Sequence, residues 1–174
     1  MLQFEIDKIV AMANLNTAPE REGQNYVPAA DVRIKGDFTP EEVKPLFGTV
    51  NFSVASFRKT FWDKDGTPIG NHHLELSTKF KDCKVTLKDS SDKEEYFKTD
   101  SATLSAFKME FQHGFICILS FNIRAHLTKE EVGSVYEKPK QMASLLIRDG
   151  DIVVARKEQQ QTMDLDPDDE DGEE

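Results

Sequence analysis

The sequence lacks the fixtures of most familiar chemistries. It has no glycine-rich phosphate loop, no GxSxG elbow and no CxxC pair. No nucleophile is set beside a base in any recognised pattern, so catalysis and a bound cofactor are not expected. His72 and His73 are adjacent. On a strand they point to opposite faces, and no second spaced pair accompanies them, so no metal site is expected either. There are only two cysteines, Cys83 and Cys117, both at apolar strand positions, which reads as reduced core thiols before a disulfide. No apolar run approaches the roughly 18 residues that a membrane span requires. Glu5, Asp7 and Lys8 bring charge in at once where a signal peptide would be apolar. The expectation is a soluble protein of a reducing cytoplasm, with no membrane partner.

Charge of one sign is abundant but unevenly placed. The formal net charge is −10 over 174 residues, yet Asp164 to Glu174 alone holds eight acidic and no basic residues. The remainder is close to neutral. Twelve phenylalanines and 38 % hydrophobic residues are enough for a core. This suits one β-rich domain over 1–157, with halves near 1–89 and 90–157, followed by a disordered acidic tail over 158–174.

Alternation organises the body. Leu2, Phe4, Ile6, Val10 and Met12 share one strand face, interrupted by Lys8. Asn14 to Asn25 is polar and reads as an exposed loop. Val27 to Phe38 is a strand with Ala30, Val32, Ile34 and Phe38 inward and alternating charges outward. Val50, Phe52 and Val54 predict a third strand, its parity switching at a bulge near Ala55–Ser56 to take in Phe57 and Phe61. Asp63 to Pro68 is turn-like, and Leu74 to Phe80 predicts a fourth strand. A bulge or bend at Lys81–Asp82 then brings Cys83, Val85 and Leu87 inward. Asp89 to Asp100 is charged and falls where the halves would join. Leu104 to Phe111 and Phe115 to Ile123 predict a hairpin around a Gln112–His113–Gly114 loop, with Gly114 left-handed and Phe111 facing Phe115. Asp149–Gly150 could close a last small hairpin.

Two corners say nearly the same thing. Thr39, Pro40 and Glu42 form a capping box with Phe38 stapled to Val43. Thr128, Glu131, Leu127 and Val132 repeat it 89 residues later. Convergence on a good cap and duplication of a half both account for the echo. The fold expected is mainly antiparallel β, a sandwich or open barrel, with two short helices at equivalent corners and a pseudo-twofold internal repeat.

Two features bear on function. The first is a basic–aromatic stretch of Arg58, Lys59, Trp62 and Lys64, followed by Lys79, Lys81, Lys84 and Lys88. Residues 56–88 hold seven basic and four acidic residues. Cations beside exposed aromatics suit single-stranded nucleic acid, which stacks its bases while its phosphates are neutralised. The alternative is that Trp62 packs in the core and the lysines are ordinary solvated residues. The second is the tail, with Asp164, Asp166, Asp168, Asp169, Glu170, Asp171, Glu173 and Glu174. It resembles the disordered acidic C-terminus by which single-stranded-DNA-binding proteins of bacteria and phages recruit replication partners. Those tails end in an aromatic, whereas this one ends Gly172-Glu173-Glu174.

The stretches from Tyr26 (YVPAADVRIKGDFTPEEVKPLF) and Phe115 (FICILSFNIRAHLTKEEVGSVY) resemble a group of small uncharacterised proteins of tailed bacteriophages. The resemblance implies a phage-encoded protein of the host cytoplasm, expressed with replication or recombination genes, and carries over no site residue. Three functions are then in view. They are a single-stranded-DNA-binding accessory protein whose tail recruits replication or recombination proteins or inhibits it, an acidic inhibitor or DNA mimic, and a virion structural or assembly protein. The oligomeric state is left open, a homo-oligomer included.

Overall fold

The computed structural model describes residues 4–48, 52–91, 95–136, 142–148 and 151–153. The chain is mainly antiparallel β. Its strands are β1 (Ile6–Glu22), β2 (Asn25–Phe38), β3 (His73–Leu76), β4 (Lys79–Asp89), β5 (Glu95–Gln112), β6 (Ile116–His126), β7 (Met142–Arg148) and β8 (Asp151–Val153). Helices α1 (Pro40–Val43), α2 (Val54–Phe61) and α3 (Lys129–Tyr136) and a 3-10 turn over Lys44–Phe47 complete it.

Every pairing is antiparallel, and the sheet closes on itself. Hydrogen bonds run β1 to β2, β2 to β6, β6 to β5, β5 to β4, β4 to β7 and β7 back to β1. Of the two forms expected, the structure is thus the barrel, and a closed one, in which each of those six strands has a partner on both sides over part of its length. Exchanging β1 with β5, β2 with β6 and β4 with β7 maps the ring of pairings onto itself. Its pseudo-twofold axis passes through β2 and β6, where Arg33 lies opposite Asn122, 89 residues away. The repeat in sequence is therefore also a repeat in topology.

Inward residues fill the barrel. Phe4 stacks on Phe80 at 5.0 Å, Phe107 stacks on Phe121 at 5.2 Å, and Phe4 meets Phe107 edge-on. Each such ring taken from water contributes roughly 1.5–3 kcal/mol before entropy is counted. The two caps form as the sequence predicts. Thr39 N–H donates to Glu42 Oε2 at 2.8 Å and Thr128 N–H to Glu131 Oε2 at 2.7 Å, with the reciprocal bonds to both threonine hydroxyls. The bulge at Lys81–Asp82 is present as well, with Asp82 at φ 55° and the register shifting between Phe80 and Cys83. A second, at Ala106 (φ 55°), slips the β5–β6 register so that Leu104 and Phe107 both face inward.

Four expectations change. Residues 14–25 are not a loop: β1 runs on to Glu22 and turns at Gly23–Gln24 into β2. The third strand is helix α2, since Val54, Phe57 and Phe61 recur at helical spacing; Val50 lies outside the described residues. The β5–β6 turn is His113–Gly114–Phe115, so Phe111 faces Cys117, with Phe115 left-handed beside Gly114. The last hairpin also fails. β8 continues the line of β7 along β4 in the same register, Arg148 opposite Lys84 and Asp151 opposite Lys81. Residues 149–150 themselves lie outside the described residues, as do the tail residues 158–174.

Candidate functional site: a cation-rimmed cavity on an inserted segment

After the 3-10 turn that follows α1, the chain makes an excursion before it rejoins the barrel at β4, and α2 is its centre. Ser53 caps the helix, its Oγ accepting from Ser56 N–H at 3.3 Å. Phe57 and Phe61 then face an aromatic cluster that continues the barrel core. Phe61 stacks on Phe111 at 4.1 Å, and Phe57 meets Phe47, Phe52, Trp62 and Phe111.

Trp62 ends the helix in extended conformation and locks the excursion to the β5–β6 hairpin. Its indole N–H donates to Gln112 O at 2.7 Å, and only 2 % of the residue is exposed. The turn beyond it is built by Asp63, whose Oδ1 accepts from the N–H of Asp65 and of Thr67 at 2.9 Å each. Gly66 (φ 79°) accepts from Gly114 N–H at 2.9 Å through its carbonyl, and a Cβ there would lie 3.0 Å from the Phe115 ring. Glycine is required on both counts, of conformation and of approach.

Between α2, this turn and Phe115 lies a cavity of ≈ 760 Å³ lined by Val54, Ala55, Arg58, Lys59, Trp62, Asp63, Lys64, Ile69 and Phe115. Arg58 is its most constrained cation. Nη2 bonds Glu41 Oε1 at 2.8 Å, the guanidinium lies 5.2 Å from the Phe115 ring centre, and its Nε is buried with no partner among the described residues. Lys59 and Lys64 are exposed at the rim.

The predicted site residues therefore divide. Arg58, Lys59, Trp62 and Lys64 share the cavity. Lys79, Lys81, Lys84 and Lys88 lie on β4, in the barrel wall, with Phe80, Cys83, Val85 and Leu87 between them facing in. Lys88 pairs with Glu95, seventeen residues along β5 from Gln112, so the eight residues do not form one patch. The acidic residues Asp164 to Glu174 lie outside the described residues. Trp62 is corrected in role. It is too buried to offer a stacking face, and its body supports the cavity floor instead. The sequence reading misses Phe115, Ile69 and Glu41. Alternation places Phe115 on the inner face of a strand, whereas its left-handed backbone turns it to α2.

Two neighbouring groups have displaced ionisation. Burial pushes the Cys117 thiol up, with the Glu41 and Glu42 charges adding to it, to about 12. Burial also pushes the Glu42 carboxyl up, but the Lys8 ammonium and the Thr39 N–H outweigh it and hold Glu42 below its ordinary value. Cys83 and Cys117 are both buried, with no disulfide between them. Among the described residues no three His, Cys, Asp or Glu side chains gather as metal ligands, and no helix is long and apolar enough to cross a membrane. No protein-family model, curated protein or solved structure matches the chain.

Proposed function

We propose that the protein is a nucleic-acid-binding accessory protein that holds single-stranded DNA at the α2 cavity. In this reading it is phage-encoded and works without catalysis in the host cytoplasm, and its acidic C-terminal segment recruits replication or recombination proteins or competes for the cavity. One observation carries the reading. Three cations, Arg58, Lys59 and Lys64, surround an apolar floor that includes a partly exposed phenylalanine, Phe115. A base stacks on the ring while its flanking phosphates meet the cations, and no sequence preference is needed. The wall lysines extend the site. β3 and β4 follow one another along the same edge of β5, so a strand leaving the cavity in that direction meets Lys79, Lys81 and Lys84 on the outer face in turn.

The test is anisotropy of a labelled oligothymidylate with the intact chain at about 50 mM and about 200 mM salt. Binding at low salt should weaken steeply at the higher one. Phe115→Ala should cost roughly 1–3 kcal/mol if a base stacks there. Lys59→Glu with Lys64→Glu should weaken binding further and flatten its salt dependence. Absence of binding at about 50 mM salt would sink the reading and advance the inhibitor or DNA-mimic alternative.

A further inference from the structure

We infer that the α2 cavity is the docking site for this chain's own C-terminal segment, with Met163 and Leu165 as apolar anchors and Asp164 and Asp166 paired to the rim. This rests on the cavity assigned above and specifies how it is regulated. Three observations meet here. The first is chemical. Val54, Ala55, Trp62, Ile69 and Phe115 make the lining largely apolar, so an occupant made of charge alone would leave it unsatisfied. The second is the pattern of the segment. Met163-Asp164-Leu165-Asp166 alternates apolar with acidic. An extended chain with that alternation presents two apolar side chains on one face and two carboxylates on the other. The carboxylates would meet the partly exposed Arg58 guanidinium, one Nη of which is on Glu41, and the exposed Lys59 and Lys64.

The third is where the described chain stops and which way it points. β8 runs antiparallel to β4, with Asp151 opposite Lys81 and Val153 opposite Lys79. At Val153 it is therefore heading toward β3 and the end of the barrel that carries α2. Lys79 precedes Phe80, which lies opposite Leu104, and the cavity is tied to β5 at Gln112. That is about eight residues of strand from Leu104, roughly 25 Å. Twelve residues from Val153 to Leu165 reach at most about 40 Å. Held on so short a tether, the segment has an effective concentration on the order of millimolar. A contact of only about 1 mM intrinsic affinity would thus fill the cavity half the time.

The experiment compares amide and indole NMR spectra of the intact chain with those of the Met163→Ser/Leu165→Ser double variant, with no nucleic acid present. Shift differences should cluster on residues 54–69 and 115, including the Trp62 indole, and should be unchanged by dilution. Differences confined to the substituted segment, or differences that vanish on dilution, overturn self-docking. In the anisotropy assay the double variant should bind the oligonucleotide about twofold more tightly or better, because the competent fraction rises. The two readings fail separately. Clustered shifts in a chain that binds no oligonucleotide would leave docking in place and remove the nucleic-acid reading. Oligonucleotide binding without clustered shifts would do the reverse.

Discussion

The two halves of the barrel are built alike and finished differently. In the first, β1, β2 and α1 lead to β4 through the 3-10 turn, α2, the Asp63 turn and β3; in the second, β5, β6 and α3 lead to β7 with only residues 137–141 between. The difference shows at the two ends. The β5–β6 hairpin tip carries Phe111 and Phe115 and is covered by α2 and Trp62. The β1–β2 tip carries Thr17 to Glu22 and Tyr26, which is 71 % exposed, and among the described residues no such excursion lies beside it. The candidate site lies at the covered end. A closed barrel with every strand paired tolerates a long insertion between two of its strands, and its binding chemistry is placed there.

The comparison breaks most readily at Trp62. Trp62→Ala removes the largest fully buried side chain and orphans Gln112 O, with an expected loss of about 3–5 kcal/mol in a urea melt. Trp62→Phe keeps most of the volume and loses chiefly the hydrogen bond, and should cost about 1–2 kcal/mol. Replacing Tyr26 by Ala at the uncovered tip should stay within about 0.5 kcal/mol. If both ends respond equally, Trp62 contributes no more to the fold than an exposed ring does.

The same asymmetry explains what the sequence could reveal. The corners at Thr39 and Thr128 are legible because a capping box is local, settled within four residues and independent of tertiary partners. β2 and β6 are legible because one face meets the core and the other meets water. The β1 extension over 14–22 is not, because an uncovered hairpin tip is polar on both faces and loses its period. α2 is hidden for the opposite reason. Phe52, Val54, Phe57 and Phe61 are apolar enough to satisfy a strand with one bulge as well as a helix, and Ser53 as a cap was the discriminating signal. Three of the seven cations are brought together because Arg58, Lys59 and Lys64 belong to the end of α2 and the turn that follows it. The lysines of β4 belong to the wall, and proximity in sequence did not carry them to the cavity.

The two caps sharpen the comparison at the level of about 1 kcal/mol. Thr39→Ala and Thr128→Ala remove equivalent hydrogen bonds, and each should cost roughly 0.5–2 kcal/mol. Neither touches the bond from the backbone N–H of residue 39 or 128 to its glutamate, so Glu42 keeps its orientation toward Lys8 at 2.7 Å, with Lys8 over the Phe38 ring at 4.6 Å. The two losses should therefore agree within about 0.5 kcal/mol. A clearly larger loss at Thr39 would show that its hydroxyl helps to hold Glu42 against Lys8.

The Lys8–Glu42 contact also gives a small pH effect, and its sign can be worked out. Glu42 ionises more readily in the folded barrel than in the unfolded chain, whose ordinary value is 4.5. The unfolded state therefore binds the proton first, so the stability this carboxylate contributes is fully present above about pH 4.5 and is lost as the pH falls through the lower folded value. The carboxylate side chain is 40 % exposed, so solvent screening keeps the gain under about 1 kcal/mol. Urea midpoints from pH 6 down to pH 3 should fall less steeply in Glu42→Gln than in the native chain, while above about pH 5 the two curves run parallel. High salt should shrink the difference, since the Lys8 ammonium acts partly through water. An identical acid slope in both chains would assign the corner's stability to the threonine cap alone and make the two halves energetically equivalent there.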